Sequence, residues 1–364
     1  MFNNFSPIYY KMVFTTLSKK HKSKSRKSRK QVSRRKINKK TKKQRNIRRK
    51  LSKKNKRGGS DKRKFYASDK TLHLICGLAG DFCVLDTALN IKTLYPNTNV
   101  RFLTYFTRFV ISEDPTKLPQ DVENKLNEAN IDYTQSDDSD TCLTPETASE
   151  IAFGKLDIQQ YNHIVLWVID MQNDFIERTF SGREDEGAFE KGTFAVPGTS
   201  DEQGCKLVED ISELIKYIGN RTDTEIVVSR DYHPEGHCSF KKSETDTNGF
   251  PPHCVEGTVG AQMNETILKA FKDISEDKYS VIFKGCDLNT DSYGAVIYSD
   301  ITYLGKRQMP YCKESKPETD KTGGRNNPNM SPKDALIFNG SIDKVFMIPI
   351  SSKTVIERRQ EMEM

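Results

Sequence analysis

Four residues of this 364-residue chain could gather around a cation: Asp231, His233, His237 and His253. The first three lie in RDYHPEGHCSF, at spacings that let them converge from one turn, and FPPHC supplies the fourth. A carboxylate with imidazoles, and water completing the shell, suits Zn²⁺, Fe²⁺ or Mn²⁺. A lone histidine would mean little. The remaining histidines, His21, His73 and His163, lie outside this region and receive no role. Cys83 offers a nucleophile, because it falls in the first turn of an expected helix, where the dipole and free N–H groups lower a thiol's pKa. An isolated cysteine in such a place is more often structural. Asp170 offers a base. It ends the apolar run of residues 164–169 and is followed by MQNDF, which is too polar for core and too apolar for a solvated loop. Lys284 stands at the end of another apolar run, a place from which lysines generally reach toward solvent.

The elements that must carry these groups can be read from patterning. IVLWVI is a short continuous apolar run, the mark of a strand buried on both faces. Such a strand delivers Asp170 to the carboxyl edge of a parallel sheet, where open α/β sheets place ligands. Residues 71–111 read as strand, turn, helix and strand, with Gly77 and Gly80 as punctuation. That is a β-α-β unit, which requires a right-handed crossover. Further helices are expected over 122–130 and 208–218, and further strands over 225–229 and 279–283. The expected fold is α/β, three layers (α/β/α) around a mainly parallel sheet. Its strands end at Ile75, Ile169, Ser229 and Phe283.

VIDMQNDF resembles the first strand of the isochorismatase-like cysteine hydrolases, in particular the nicotinamidases. GLAGDFCVLDTA resembles their nucleophile motif, matching at Gly77, Leu78, Ala79, Asp81, Cys83, Val84 and the Thr87-Ala88 pair. AVPG, Asp-x-His followed by Pro-Pro-His-Cys, and KGCD followed by DSYGA resemble further family patterns. The resemblance implies a Cys83, Asp170 and Lys284 triad and an oxyanion hole from the N–H groups of Ala79 and Cys83. It implies a cis Leu78–Ala79 peptide. It implies one divalent metal ion on Asp231, His233 and His253, with His237 either a fourth ligand or a residue behind the ligands. Phe175, Phe250 and Tyr293 would surround the substrate ring. The implied reaction converts nicotinamide to nicotinate and ammonia through a thioester. Family members often carry Trp where Phe250 and Tyr232 stand, so hydrolysis of another small amide is the alternative. The cysteine unit precedes the Asp170 strand, whereas the family order is the reverse, so the chain resembles a circular permutant. An inactive polyanion-binding protein on the same scaffold is the remaining alternative.

Composition adds an arm. Residues 19–64 hold nearly half of the 58 Lys and Arg residues and a single acid, Asp61, although the whole chain carries only +8. This segment lacks apolar periodicity and cannot offset its ordering entropy, so residues 1–64 read as a disordered basic arm. Such an arm binds polyanions by counterion release: nucleic acid, an import receptor or an anionic membrane surface. The hydrolase domain then spans 65–364. It comprises a cysteine-motif portion (65–135), a polar connector (136–160), the portion with the Asp, metal and Lys motifs (161–310) and an extension (311–364). In that extension 344–350 look strand-like and 351–364 helical. No run approaches the ~20 apolar residues of a membrane span, and no secretory signal is recognisable. The eight cysteines show no C-x-x-C pair. Reduced thiols in a soluble, intracellular protein, with nuclear association through the arm, are the expectation.

Overall fold

A computed structural model describes residues 66–134, 143–177, 191–199, 206–247, 249–296 and 330–340, and the backbone of four two-residue strands outside them. By internal contacts the chain divides into Met1–Lys62 and Arg63–Met364. The basic arm, the start of the connector and most of the extension lie outside the described residues.

The sheet is built on β1 (Thr71–Gly77) and β4 (His163–Ile169), which pair in parallel from Thr71↔His163 to Gly77↔Ile169. β2 (Asn99–Thr107) and β3 (Asp132–Tyr133) extend it beyond β1, and β7 (Thr224–Asp231) and β8 (Tyr279–Lys284) extend it beyond β4. The order β8-β7-β4-β1-β2-β3 is parallel throughout, with β9 (Arg325–Asn326) and β10 (Ile348–Pro349) as short antiparallel additions beside β8. A separate two-stranded ribbon joins β5 (Thr179–Phe180) and β6 (Phe189–Glu190).

Side-chain alternation divides the core into two layers. Ile164, Leu166 and Val168 of β4 pack with α3 (Pro145–Phe153), α4 (Lys206–Gly219), α5 (Glu265–Ala270) and α6 (Pro332–Ile337). Val165, Trp167 and Ile169 pack with α1 (Leu85–Leu94) and α2 (Gln120–Glu128) on the other face. The result is the three-layer α/β/α arrangement expected from the apolar runs.

Three local expectations need correction. β2 stops at Thr107 and not at Ile111, because the Asp81 carboxylate accepts from the N–H groups of Val110 (3.0 Å) and Ile111 (2.7 Å) and turns the chain out of the sheet. The polar connector holds a helix, α3, capped by Thr144, whose Ala148, Ala152 and Phe153 are buried. Acidic neighbours conceal that short apolar stripe in the sequence. Cys76, Cys83, Cys254 and Cys286 are free thiols, but Cys238 is disulfide-bonded, since pairing depends on distance in the fold and not on spacing. Among the described residues no helix is long and apolar enough to cross a membrane.

Candidate active site

Three strand ends and one helix start meet at the carboxyl edge of the sheet. β4 delivers Asp170, β7 delivers Ser229 and Asp231, and β8 delivers Lys284. β1 leads through the cis Leu78–Ala79 peptide into a widened helical turn, Gly80–Val84, that carries Cys83 and runs on into α1. Lys284 Nζ is the hub. It lies 2.8 Å from Asp170 Oδ2, 3.3 Å from Asp231 Oδ1 and 3.6 Å from Cys83 Sγ. Asp170 sits just beyond its strand at φ +53°, a backbone region that aspartate tolerates better than most residues. Ser229 fixes its carboxylate, donating to Oδ1 at 2.7 Å and accepting from the Asp170 N–H at 3.2 Å.

The electrostatics follow from burial. Cys83 is pushed well up by desolvation, against the pull of Lys284. Desolvation also raises Asp170, opposed by Lys284. Burial works against the charge of Lys284, yet Asp170 and Asp231 outweigh it and hold the ammonium well above the usual lysine range. The resting arrangement is therefore a neutral thiol beside an ammonium–carboxylate pair.

The imidazoles form the second corner. His233 Nε2 lies 3.0 Å and His253 Nε2 3.5 Å from Asp231 Oδ2. Their Nδ1 atoms face the carbonyls of Gly285 (3.0 Å) and Pro251 (2.7 Å). A carbonyl only accepts, so each Nδ1 carries the proton and each Nε2 presents a lone pair. Two lone pairs and a carboxylate oxygen aimed at one point are a donor set for a cation, and this arrangement fits a divalent metal. Gly285 permits the approach: at φ +65°, a Cβ there would stand 2.4 Å from the His233 ring. His237 stacks on His233 with centroids 4.1 Å apart, and its ring nitrogens meet Ser239 Oγ (2.7 Å) and Thr290 O (3.3 Å). It also forms a potential ligand group with His233 and Asp291. Burial alone would raise Asp231, but the Lys284 ammonium 3.3 Å away pulls the other way, and the carboxyl is held far below its usual range.

Between the corners lies a pocket of about 760 Å³, mouth included, with Cys83, Ala79, Asp231, His233 and His253 in its lining. Phe175, Phe250 and Tyr293, the three aromatics singled out from sequence, all line it. Phe82 and Phe194 join them, Phe194 at 4.9 Å from the His253 ring. These two were missed, as were Ser229, Asp291 and Gln172, which bonds both the N–H (2.7 Å) and C=O (2.6 Å) of Asp231. Phe194 immediately precedes AVPG and Asp291 opens DSYGA, so their position was a usable signal; Ser229 carried none. Tyr232 does not line the pocket. It points to the opposite side of β7, toward α6.

No family model matches the chain. It is similar to curated nicotinamidases: 28% identical over 165 residues to that of Saccharomyces cerevisiae, covering 40% of this chain and 66% of the yeast protein. It is 28% identical over 159 residues to that of Acinetobacter baylyi, covering 40% of this chain and 61% of the relative. A nicotinamidase/pyrazinamidase of Mycobacterium tuberculosis matches at 29% over 103 residues, 28% of this chain and 44% of that protein. The matches thus span about two-thirds of these relatives at most.

Proposed function

We propose that this protein is a metal-dependent cysteine amidohydrolase that converts nicotinamide to nicotinate and ammonia. The observation that carries the reading is the meeting of Asp170 and Lys284 with Cys83, which itself lines an aromatic pocket whose lining also holds the Asp231, His233 and His253 donor set. The similarity to nicotinamidases supports the choice of substrate.

In this reading Asp170 accepts the Cys83 proton, and Lys284 balances the charges so formed. The thiolate attacks the carboxamide carbon. The N–H groups of Ala79 and Cys83 hold the tetrahedral oxyanion, each worth ~3 kcal/mol in comparable sites. Asp170 returns its proton to the nitrogen, ammonia leaves, and a thioester remains. Asp170 then deprotonates a water that attacks the thioester and releases the acid. The raised pKa of Asp170 suits a group that must both take and give a proton. Asp231, His233 and His253 would hold the metal, with His237 behind them or as a fourth ligand. When bound, a Zn²⁺, Fe²⁺ or Mn²⁺ ion would supply a Lewis-acid partner for the pyridine nitrogen. Phe175, Phe250 and Tyr293 would enclose the ring.

The permuted order belongs to the same proposal. A doubly wound sheet keeps its strand order when its two halves trade places in the chain. Counted from β4, the order β8-β7-β4-β1-β2-β3 becomes 3-2-1-4-5-6, a common doubly wound arrangement. The cysteine half can therefore precede the aspartate half without moving any strand. Matches confined to 40% of this chain suit a collinear comparison that can take only one portion. Residues 19–64 are assigned a polyanion-binding role, for nucleic acid or a similar partner, on charge alone. Deleting 1–64 should abolish heparin binding at low salt and leave amide hydrolysis intact.

The deciding experiment is ammonia release from nicotinamide, with and without chelator. Turnover that chelation suppresses and metal restores is expected. A metal-replete protein inert toward nicotinamide but active on another small amide would replace the substrate, and one inert toward all would leave the scaffold reading alone.

A further inference from the structure

Arg230 lies between Ser229 and Asp231 on β7 and, by strand alternation, points away from the pocket. It is fully buried, and among the described residues no carboxylate contributes to its electrostatics. Its partners are carbonyls. Nη1 donates to Ala335 (2.9 Å), Leu336 (3.3 Å) and Phe338 (2.8 Å), and Nη2 donates to Ala261 (2.7 Å). The first three belong to the end of α6 and the residue after it, where helix carbonyls lack intrahelical partners and the dipole is negative. The guanidinium also lies over the rings of Tyr232 and Phe283.

Tyr232, likewise buried, repeats the attachment. Its hydroxyl donates to Gly340 O at 2.8 Å, and its ring meets Phe338 at 5.8 Å. Arg230 and Tyr232 are interleaved with Asp231 and His233. The linkage continues: Ala261 O also accepts from Gln172 Nε2 (2.9 Å), and Gln172 grips the Asp231 backbone. The His233 N–H donates to Cys254 O (2.9 Å), and Glu256 N–H donates to His233 O (2.8 Å), tying in the loop that bears His253. Asn339 Nδ2 reaches Gly257 O in the same loop (3.3 Å).

We propose that residues 330–340 are a positioning element for the imidazole corner: the end of α6 and the turn after it clamp Arg230 and Tyr232 and so set where Asp231 and His233 point. The inference rests on reading that corner as a metal site, but its first readout does not. Without these carbonyls a guanidinium would be left buried with one acceptor, and β7 would have to twist to expose it.

The test uses the full chain carrying Phe338→Ala, Tyr232→Phe, Arg230→Gln or Arg230→Lys. Hydrogen exchange is measured first, on metal-free protein. Exchange of the His233 and Glu256 amides should accelerate at least about tenfold in Phe338→Ala, which alters no residue of β7, while β1 amides stay unchanged. Co²⁺ affinity should then fall about 10–100-fold, as for other groups that orient metal ligands, with a changed visible spectrum. Arg230→Lys should recover part of what Arg230→Gln loses. Tyr232→Phe removes a single oxygen and should fold, with a smaller effect of the same kind. Wild-type exchange and Co²⁺ binding in both Phe338→Ala and Tyr232→Phe would overturn the proposal, as would loosening spread equally into β1. If the wild-type protein bound no Co²⁺, the metal reading would fail while the exchange result still decided the clamp.

Discussion

Asp170 and Asp231 stand at the ends of adjacent parallel strands, both are buried, and both touch the same ammonium. Their surroundings drive them apart. Asp170 has Lys284 and a serine hydroxyl, and desolvation raises its pKa. Asp231 has His233 and His253 as well, and although burial pushes it up, it is held far below the carboxylate range. One carboxylate can exchange a proton; the other stays ionised and can serve as a ligand. Two identical residues one strand apart acquire different chemistry from what faces them, the general way in which one site hosts two roles.

The sharpest break of this comparison is on the proton-transfer side. Cys83→Ala should lower turnover on the order of 10⁴-fold or more while nicotinamide still binds, because the sulfur takes part only in the chemistry. Asp170→Asn should come close, at about 10³–10⁴-fold, since an amide cannot accept the thiol proton. Single-turnover kinetics with equilibrium binding would separate the two. Near-normal ammonia release by Cys83→Ala would transfer the nucleophile to a metal-bound water. On the other side, His253→Ala should lose metal and raise KM with a smaller fall in kcat, about 10²-fold in kcat/KM, checked by metal content and steady-state kinetics. If His253→Ala acted on kcat alone, the two corners would not divide the work as argued.

Ser229→Ala sharpens the contrast further with a smaller effect. Loss of the 2.7 Å hydroxyl bond removes a group that favours the ionised form of Asp170. The acidic limb of the pH–rate profile should move to higher pH, and kcat should fall about tenfold. Unchanged limbs would remove Asp170 as the titrating base.

The parts of this arrangement that could be read from sequence are those written locally. β4 and β1 appear as apolar runs because strands covered on both faces have no polar side to show. Asp170 and Lys284 could be singled out because charge terminates such a run. The end of β2 could not be read, because Asp81, some thirty residues earlier, supplies the acceptors that pull Val110 and Ile111 away. Helix α3 escaped because it shows one narrow stripe, with Ala148 and Ala152 as its small members. Ser229, Gln172 and the carbonyls on Arg230 act across the sheet between distant segments, and no spacing rule encodes such contacts. His73 carries no role by its place in the sequence, and its surroundings give it one.

His73 is the case farthest from the chemistry. It lies buried on β1, on the same face of the sheet as Trp167: its Nδ1 accepts from Trp167 Nε1 (3.1 Å), and its Nε2 meets Tyr66 O (3.1 Å). The neutral tautomer satisfies both contacts, whereas the imidazolium would turn a donor toward the indole N–H. Burial, partly opposed by the Tyr66 carbonyl, lowers the pKa from 6.5 to about 4. A histidine with a depressed folded pKa binds a proton more readily when unfolded. Its stabilising contribution is therefore complete above pH 6.5 and is lost as the pH falls from 6.5 toward 4. A gap of that size corresponds to about 3 kcal/mol. His73→Gln keeps a donor and an acceptor but cannot titrate. Thermal or urea unfolding of the two proteins should differ in slope between pH 6.5 and 4, the wild type losing about 3 kcal/mol more, while ammonia release at pH 7.5 stays within about twofold. Parallel stability profiles would show that His73 takes up its proton as readily in the fold as in the unfolded chain, and that its contacts with Trp167 and Tyr66 do not favour the neutral ring.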